Sequence, residues 1–445
     1  MTELGTDRPA VATGFPPEAR AAIRGGVLAY FVDQYDIYLP IVALAPASAY
    51  FQSTGISAGA AALLNAFVFA STLIARPLGA AVFGHFADTR GRRKSTLVAV
   101  AGFGVTTALI AVLPGYETIG IASAGLLIAL RFIDGIFLGG EYTTAVPLAM
   151  EWSPKRKRGL VSGSITCTSP GAYAVVAAIT LILLSVMPSA GVDSAYAQWG
   201  WRIPFLVGAL LAVVLFRSYQ KEVEESRTER TRSGSPLAML FKGEHRRTMA
   251  QVFVLMTGTW LATNAGIAVL PGLLKSHAGL SGQAVSVTMM IATAVTAVTY
   301  PLSGLLSQRI GRRRFFIGYG VSVIVIGGPS FALAMSLHSG PAMVVACTLV
   351  VVFTIGTFGP IAAYLTERFP ASIRASGYGV GYSLALIIPA FYALYLDGIS
   401  TVLPGHLAPI VLIVLAGLLI SAGAAAGPET KETDMGRDTV RRSNG

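Results

Sequence analysis

Charge is scarce in this chain. Of its 445 residues, 12% are Asp, Glu, Lys or Arg and 53% are hydrophobic, against about 25% charged residues in ordinary soluble domains. Such a composition cannot cover a water-facing surface. Cysteine is scarcer still: Cys167 and Cys347 are the only two, both inside apolar runs, which excludes a disulfide framework and any metal-ligand spacing. The five histidines, at positions 85, 245, 277, 338 and 406, are scattered at the ends of apolar runs or in loops and form no metal or catalytic set. No Gly-x-x-x-x-Gly-Lys-Ser/Thr loop is present, so direct ATP drive is not expected. No serine or cysteine nucleophile has a base and an orienting partner. An enzyme is therefore not expected, and neither is a cofactor or a metal. The first 23 residues lack the short apolar core and small-residue cleavage site of a removable leader, leaving the first apolar run as the insertion signal.

What the chain does have is long apolar runs, each of about 20 residues, the length needed to cross a hydrocarbon layer about 30 Å thick as a helix. The ten-residue alternation of a membrane β-barrel is absent. The fold class expected is an all-α polytopic membrane protein with twelve spans, near 24–48, 58–83, 96–114, 120–149, 160–187, 201–218, 249–274, 283–306, 315–337, 341–366, 374–396 and 406–427. Residues 1–23, 219–248 and 428–445 then form an N-terminal segment, a charged central linker or surface helix, and a tail around two six-helix bundles, 24–218 and 249–427. The net charge of +11 would suggest nucleic acid in a soluble protein. Here the basic residues sit between the apolar runs, and all but Arg76, Arg131, Arg202 and Lys275 fall on one side of the expected topology. The positive-inside rule puts that side, with both termini and the linker, in the cytoplasm. The partner expected is a lipid bilayer, not a nucleic acid.

The sequence is also duplicated. Gly84-His85-Phe86-Ala87-Asp88-Thr89-Arg90-Gly91-Arg92-Arg93-Lys94 reads as a tether between the second and third spans, and a weaker copy runs from Gly304 to Arg314, half the chain later. At nearly the same offset, Glu151-Trp152-Ser153-Pro154 through Arg158 matches Glu367-Arg368-Phe369-Pro370 through Arg374. Two motifs in register imply two six-helix repeats related by an axis along the membrane normal.

The tether pattern Gly-x-x-x-Asp-x-x-Gly-Arg-Arg, repeated after the eighth span, resembles the signature of the major facilitator superfamily. Within it the chain is similar to the metabolite:proton symporter family, through Tyr35-Asp36, Arg76-Pro77-Leu78-Gly79, Gly139-Gly140-Glu141, Trp201-Arg202-Ile203-Pro204-Phe205 and the closing Pro428-Glu429-Thr430-Lys431. The resemblance implies a monomeric inner-membrane carrier of a small organic anion, a carboxylate by preference, moved inward with protons by alternating access. An exporter or antiporter, or a non-transporting membrane sensor, remains as an alternative. Three departures from the family pattern stand out: Thr89 in place of a basic residue, Gln308 in place of the second motif's Asp, and Asp134 in place of a Gln.

An ionised group within the bilayer costs at least about 2.5–3.5 kcal/mol, so each one needs a partner, a water-filled cavity or a function. Asp33, Asp36, Arg76, Arg131, Asp134 and Glu141 are the residues concerned. At about 100° per residue, Arg131, Asp134 and Glu141 share one helix face. The acids Asp36, Asp33, Asp134 and Glu141 are candidate proton carriers or structural ion-pair partners. Arg131 offers a planar fork for a substrate carboxylate or an internal pair for one of those acids. Tyr35, Asn264 and Tyr382 are the neutral candidates for substrate contact. Arg76 is expected to snorkel toward the cytoplasmic end in a supporting role. Gating is expected from Gly84, Asp88, Gly91, Arg92 and Arg93 with Glu151, Arg158, Glu367 and Arg374, Asp88 lying near the start of the eleventh helix and Arg92 or Arg93 meeting Glu151 or a neighbouring helix end. Gln308 marks the second latch as the weaker.

Overall fold

Peptide groups in hydrocarbon have no water to bond, so a spanning chain satisfies them within helices. The computed structural model describes residues 15–53, 55–188, 191–222 and 236–435, and these hold helices and no strand. Eleven helices are long and apolar enough to cross a membrane, or twelve with a bent first pair counted as one span. In chain order they are α1 (Pro17–Ala43, continued after a 72° bend by Ala45–Phe51), α2 (Ala58–Arg90), α3 (Arg92–Ala111), α4 (Ala122–Trp152), α5 (Lys155–Val186) and α6 (Tyr196–Lys221). The second six are α7 (Gly243–Ser276), α8 (Gly282–Ile310), α9 (Arg312–Ser336), α10 (Pro341–Arg368), α11 (Ala371–Ser400) and α12 (Ala408–Ala425).

The two halves carry the same irregularities at matching places. Pro77 lies inside α2 and Pro301 inside α8. A π-helical turn sits at Leu39–Ala43 in α1 and at Asn264–Val269 in α7. Most tellingly, the stretch read as a tether is almost wholly helical. α2 runs on to Arg90, α3 starts at Arg92, and the joint is the single residue Gly91, at φ 113°; Gly311, at φ 104°, does the same between α8 and α9. Only glycine adopts such angles without strain. The expected loop is absent because one left-handed residue reverses the chain. The central segment is described only at its ends: α6 extends through Lys221, and a short helix, Pro236–Leu240, precedes α7. The rest of that expected linker lies outside the described residues.

The pseudo-symmetry extends to packing. α2 packs on α4 within its half and on α11 across the divide, while α8 packs on α10 and, across the divide, on α5. Both crossings are close at glycine. A Cβ on Gly84 would strike the backbone of Ser376, and one on Gly304 would strike the backbone of Gly159. The result is two pseudo-symmetric six-helix bundles.

Candidate functional site

Six ionisable side chains meet inside the first bundle, each at most 1% exposed. Small residues bring the helices carrying them together: a Cβ on Gly135 would strike the Thr72 backbone, and one on Gly139 the Arg76 carbonyl, so α4 lies directly against α2. Thr72 Oγ1 donates to the Arg131 carbonyl at 3.1 Å across the same seam. In one cluster, Arg76 Nη2 donates to both oxygens of Asp33 at 3.0 Å, and Gln34 Nε2 donates to Asp33 Oδ2 at 2.7 Å. In the other, Arg131 Nη1 lies 2.8 Å from Asp36 Oδ2 and 2.9 Å from Asp134 Oδ2. The hydroxyls of Thr107 and Thr106 donate to the remaining oxygens of Asp36 and Asp134, each at 2.9 Å. Pairing of this kind offsets the cost of removing charge from water. Glu141 is different, because neither carboxyl oxygen has a hydrogen-bond partner among the described residues. Four carboxyls thus face two guanidiniums.

Beside the Asp33–Arg76 pair, between the halves, lies a cavity of about 200 Å³ walled by α1, α2, α5, α7 and α11. Arg76 is its one charged lining residue; Gln34, Thr263 and Asn264 are polar, and Tyr38, Tyr173, Trp260 and Tyr392 supply aromatic wall. The π-helical turn of α7 delivers Asn264, Ile267 and Ala268 to it, as such turns commonly do at functional sites. Tyr38 and Ser169 share a hydrogen bond of 3.1 Å, and Ser169 Oγ donates to Gln34 Oε1 at 2.7 Å, which extends the Asp33 network along the cavity wall. Trp260 is held by its Nε1, which donates to the Tyr382 carbonyl at 2.9 Å, and Asn264 Nδ2 donates to the Pro389 carbonyl at 2.6 Å. Arg76 lies 14 residues before the end of α2, about 20 Å at the helical rise. The cavity therefore sits away from the basic end of the molecule.

That basic end is closed. Asp88 accepts from the backbone N–H groups of Ala375 at 3.1 Å and Ser376 at 2.8 Å, near the start of α11. A carboxylate there meets the positive end of a helix. Glu151 pairs with Arg374 at 2.6 Å and with Arg92, which also lies 3.6 Å from Asp88. Across the pseudo-axis, Gln308 accepts from the Gly159 N–H near the start of α5 at 3.0 Å and from Arg312 Nη2 at 2.8 Å, while Arg312 pairs with Glu367 at 3.2 Å. The segment after α12 completes this face. Glu429 accepts from the N–H groups of Arg312 and Arg313 at 2.8 and 3.2 Å, and Thr430 Oγ1 donates to Glu367 at 2.8 Å. It then reaches the other half, where Arg158 Nη1 donates to the Thr433 carbonyl at 2.6 Å and Lys155 lies 3.2 Å from Glu432. Met435 ends the described chain 3% exposed.

The family model of the Major Facilitator Superfamily matches residues 26–393. The chain belongs to that superfamily. Among similar major facilitator relatives, the inner membrane metabolite transport protein YhjE of Escherichia coli is 33% identical over 76% of this chain and 78% of its own length. The alpha-ketoglutarate permease of Escherichia coli is 31% identical over 73% and 74%. The fold matches that of the proton:xylose symporter XylE, solved with 6-bromo-6-deoxy-D-glucose, at a TM-score of 0.73 and 17% identity, covering 95% of this chain and 99% of that one. The protein is thus a multi-pass major facilitator transporter of small metabolites, not an enzyme.

In this major facilitator protein the sequence-derived residues divide by place. Asn264 lines the cavity, whereas Arg131 is sealed between Asp36 and Asp134. Tyr35 turns away and donates to the Pro204 carbonyl at 3.1 Å. Tyr382 stands behind Trp260, ring centroids 5.1 Å apart, with its hydroxyl 2.8 Å from that of Tyr30 across the bundles. Arg76 does not snorkel: it is 1% exposed, bonded to Asp33, with its guanidinium 4.6 Å from the Tyr142 ring centre. The buried acid on α1 holds it at mid-depth. Of the two partners expected for the tether arginines, Arg92 meets Glu151 and Arg93 donates to the Gln220 carbonyl at a neighbouring helix end, that of α6. Sequence reasoning missed Gln34, Tyr38, Ser169 and Tyr173. Their signal was the one-turn spacing of Gln34 to Tyr38 and of Ser169 to Tyr173, polar or aromatic groups facing one way in apolar spans.

Proposed function

We propose that this transporter imports a small organic anion, a carboxylate, together with protons, by alternating access of the bundles 24–218 and 249–427. The observation that carries this is Arg76, a buried cation on the wall of the central cavity beside a carboxyl cluster. An arginine presents planar donors suited to a carboxylate, so Arg76, not the sealed Arg131, is the proposed anchor. The excess of two buried carboxyls over guanidiniums supports proton coupling, since protons are the counter-ions that can balance them within the bundle. In this reading a proton on Asp36 or Asp134 loosens their shared hold on Arg131, and a proton on Glu141 or Asp33 changes the charge beside the substrate. Asn264 touches the substrate, Tyr382 sets the wall behind Trp260, and Tyr35 braces α1 against α6.

Gating falls to the closed face: Gly84, Asp88, Gly91, Arg92, Arg93, Glu151 and Arg374 on one side of the pseudo-axis, with Arg158 and Glu367 on the other. The positive-inside bias supports a cytoplasmic placement of that face, with both termini inside, in a bacterial inner membrane; the working unit proposed is the monomer.

The test is proton uptake in proteoliposomes carrying a pH dye, driven by addition of candidate acids outside at zero initial pH gradient. Acid-dependent internal acidification that disappears in Asp36→Asn is expected. Acid flux with no accompanying proton would remove the symport reading.

A further inference from the structure

The walls of the cavity restrict which anion fits. Arg76 is the one lining cation, and it is shared, because its Nη2 already serves both oxygens of Asp33. Its Nε has no partner among the described residues. Little of this guanidinium faces the cavity, Arg76 being 1% exposed with a buried Nε, so it holds one carboxylate at most, and no second cation lines the wall: Arg131, in the same bundle, is clamped by Asp36 and Asp134.

The neutral polar groups are largely committed too. Gln34 donates to Asp33 and accepts from Ser169. Thr263 donates to the Thr259 carbonyl at 2.8 Å. Asn264 gives Nδ2 to Pro389 and leaves Oδ1, an acceptor, open. Apart from the Tyr173 and Tyr392 hydroxyls, the rest of the wall is ring and aliphatic carbon: Tyr38 and Tyr173 meet edge to face at 5.2 Å, and Trp260 packs on Phe358 at 4.9 Å. Aromatic faces carry negative quadrupole density and repel a carboxylate. A second carboxylate would enter with no cation to pair it, and a buried charge without a counter-charge is strongly disfavoured. The cavity is small, about 200 Å³, which favours a compact ligand.

Building on the carboxylate reading above, we propose that the site selects monocarboxylates with a compact apolar ring, carrying at most one hydroxyl or amine to donate to Asn264, and rejects di- and tricarboxylates. The carboxylate lies at Arg76, the ring between Tyr38, Tyr173 and Trp260, and the donor at Asn264 Oδ1. Selectivity arises from what is missing, a second cation, as much as from the rings that are there.

The full chain, purified in detergent, is titrated with cyclohexanecarboxylate, 3-hydroxybenzoate, phthalate, 2-oxoglutarate and cyclohexanecarboxamide. Thermal stabilisation and tryptophan fluorescence report binding. The two ring monocarboxylates are expected to bind at least tenfold more tightly than either dicarboxylate and than the amide. Asn264→Ala is expected to weaken 3-hydroxybenzoate at least fivefold more than cyclohexanecarboxylate, and an equal effect on both would remove the contact at Oδ1. Dicarboxylates binding equally or better overturn the ring-monocarboxylate assignment while leaving an anion carrier standing. The neutral amide binding as well as the acids overturns both. A folded protein that binds none of the five also overturns this assignment, and acid-driven proton flux in the proteoliposome assay then decides the broader reading separately.

Discussion

Arg76 and Asp33 share one buried pair, so removing either alone leaves a charge without its counterpart. Arg76→Gln should lower stability by about 3–5 kcal/mol, read as a fall in the melting temperature of the purified protein. The double variant Asp33→Asn, Arg76→Gln should recover most of that loss and still fail to bind a carboxylate; normal affinity in the double variant would remove Arg76 as anchor. Glu141→Gln is the opposite case. It keeps the shape of a side chain whose oxygens have no hydrogen-bond partner among the described residues and breaks no ion pair, so it should cost far less stability than Arg76→Gln. Substrate accumulation at a fixed pH gradient should fall, and unchanged accumulation would take Glu141 out of coupling. At this scale the sequence was half legible. That an arginine and several acids share the α1–α4 region follows from their spacing, because helical phase is written in residue number. Depth and partner are not: Arg76 and Arg131 look alike in sequence, yet one borders the cavity and the other is enclosed by Asp36 and Asp134.

Between helices, the closed face depends on two crossings built alike and unequally charged. At α2–α11 the cap is a carboxylate, Asp88, bonded to two backbone N–H groups; at α8–α5 it is the neutral Gln308, bonded to one. Asp88→Asn should weaken the first latch by about 1 kcal/mol, the usual value of a helix cap, and lower the ratio of closed to open forms about fivefold. Hydrogen exchange over residues 371–384 should speed up accordingly, and unaltered exchange would show that the cap does not hold this face. The reverse substitution at the other crossing, Gln308→Asp, adds an anion near the start of α5 and beside Arg312. A gain of about 0.5–1 kcal/mol in the closed form is expected, seen as turnover slowed two- to fivefold at saturating substrate. Asp88 near the start of α11 was legible because the motif fixes both its chain position and the repeat offset. The joint at Gly91 was not, since a glycine amid basic residues reads equally as a loop or as one left-handed residue between helices.

For the molecule as a whole, twelve spans and a twofold repeat followed from hydropathy and from two motifs in register, because bilayer thickness sets the length of each element before any packing occurs. The path of the chain after α12 did not follow, as nothing in Pro428-Glu429-Thr430-Lys431 states that it lies across α9 and reaches the other half. That path ties the last described residues to both bundles at once, through Glu429 to α9 and through Thr433 and Glu432 to Arg158 and Lys155. Any rearrangement that parts the bundles on this face must lift the tail, which makes the tail a clock for the transport cycle. Trypsin acting after Lys431 should cut slowly while the face is shut and faster when a transported substrate sets the protein turning over. Cleavage rate against substrate concentration would then trace conformational occupancy in an unlabelled protein, with saturation at the apparent affinity for transport.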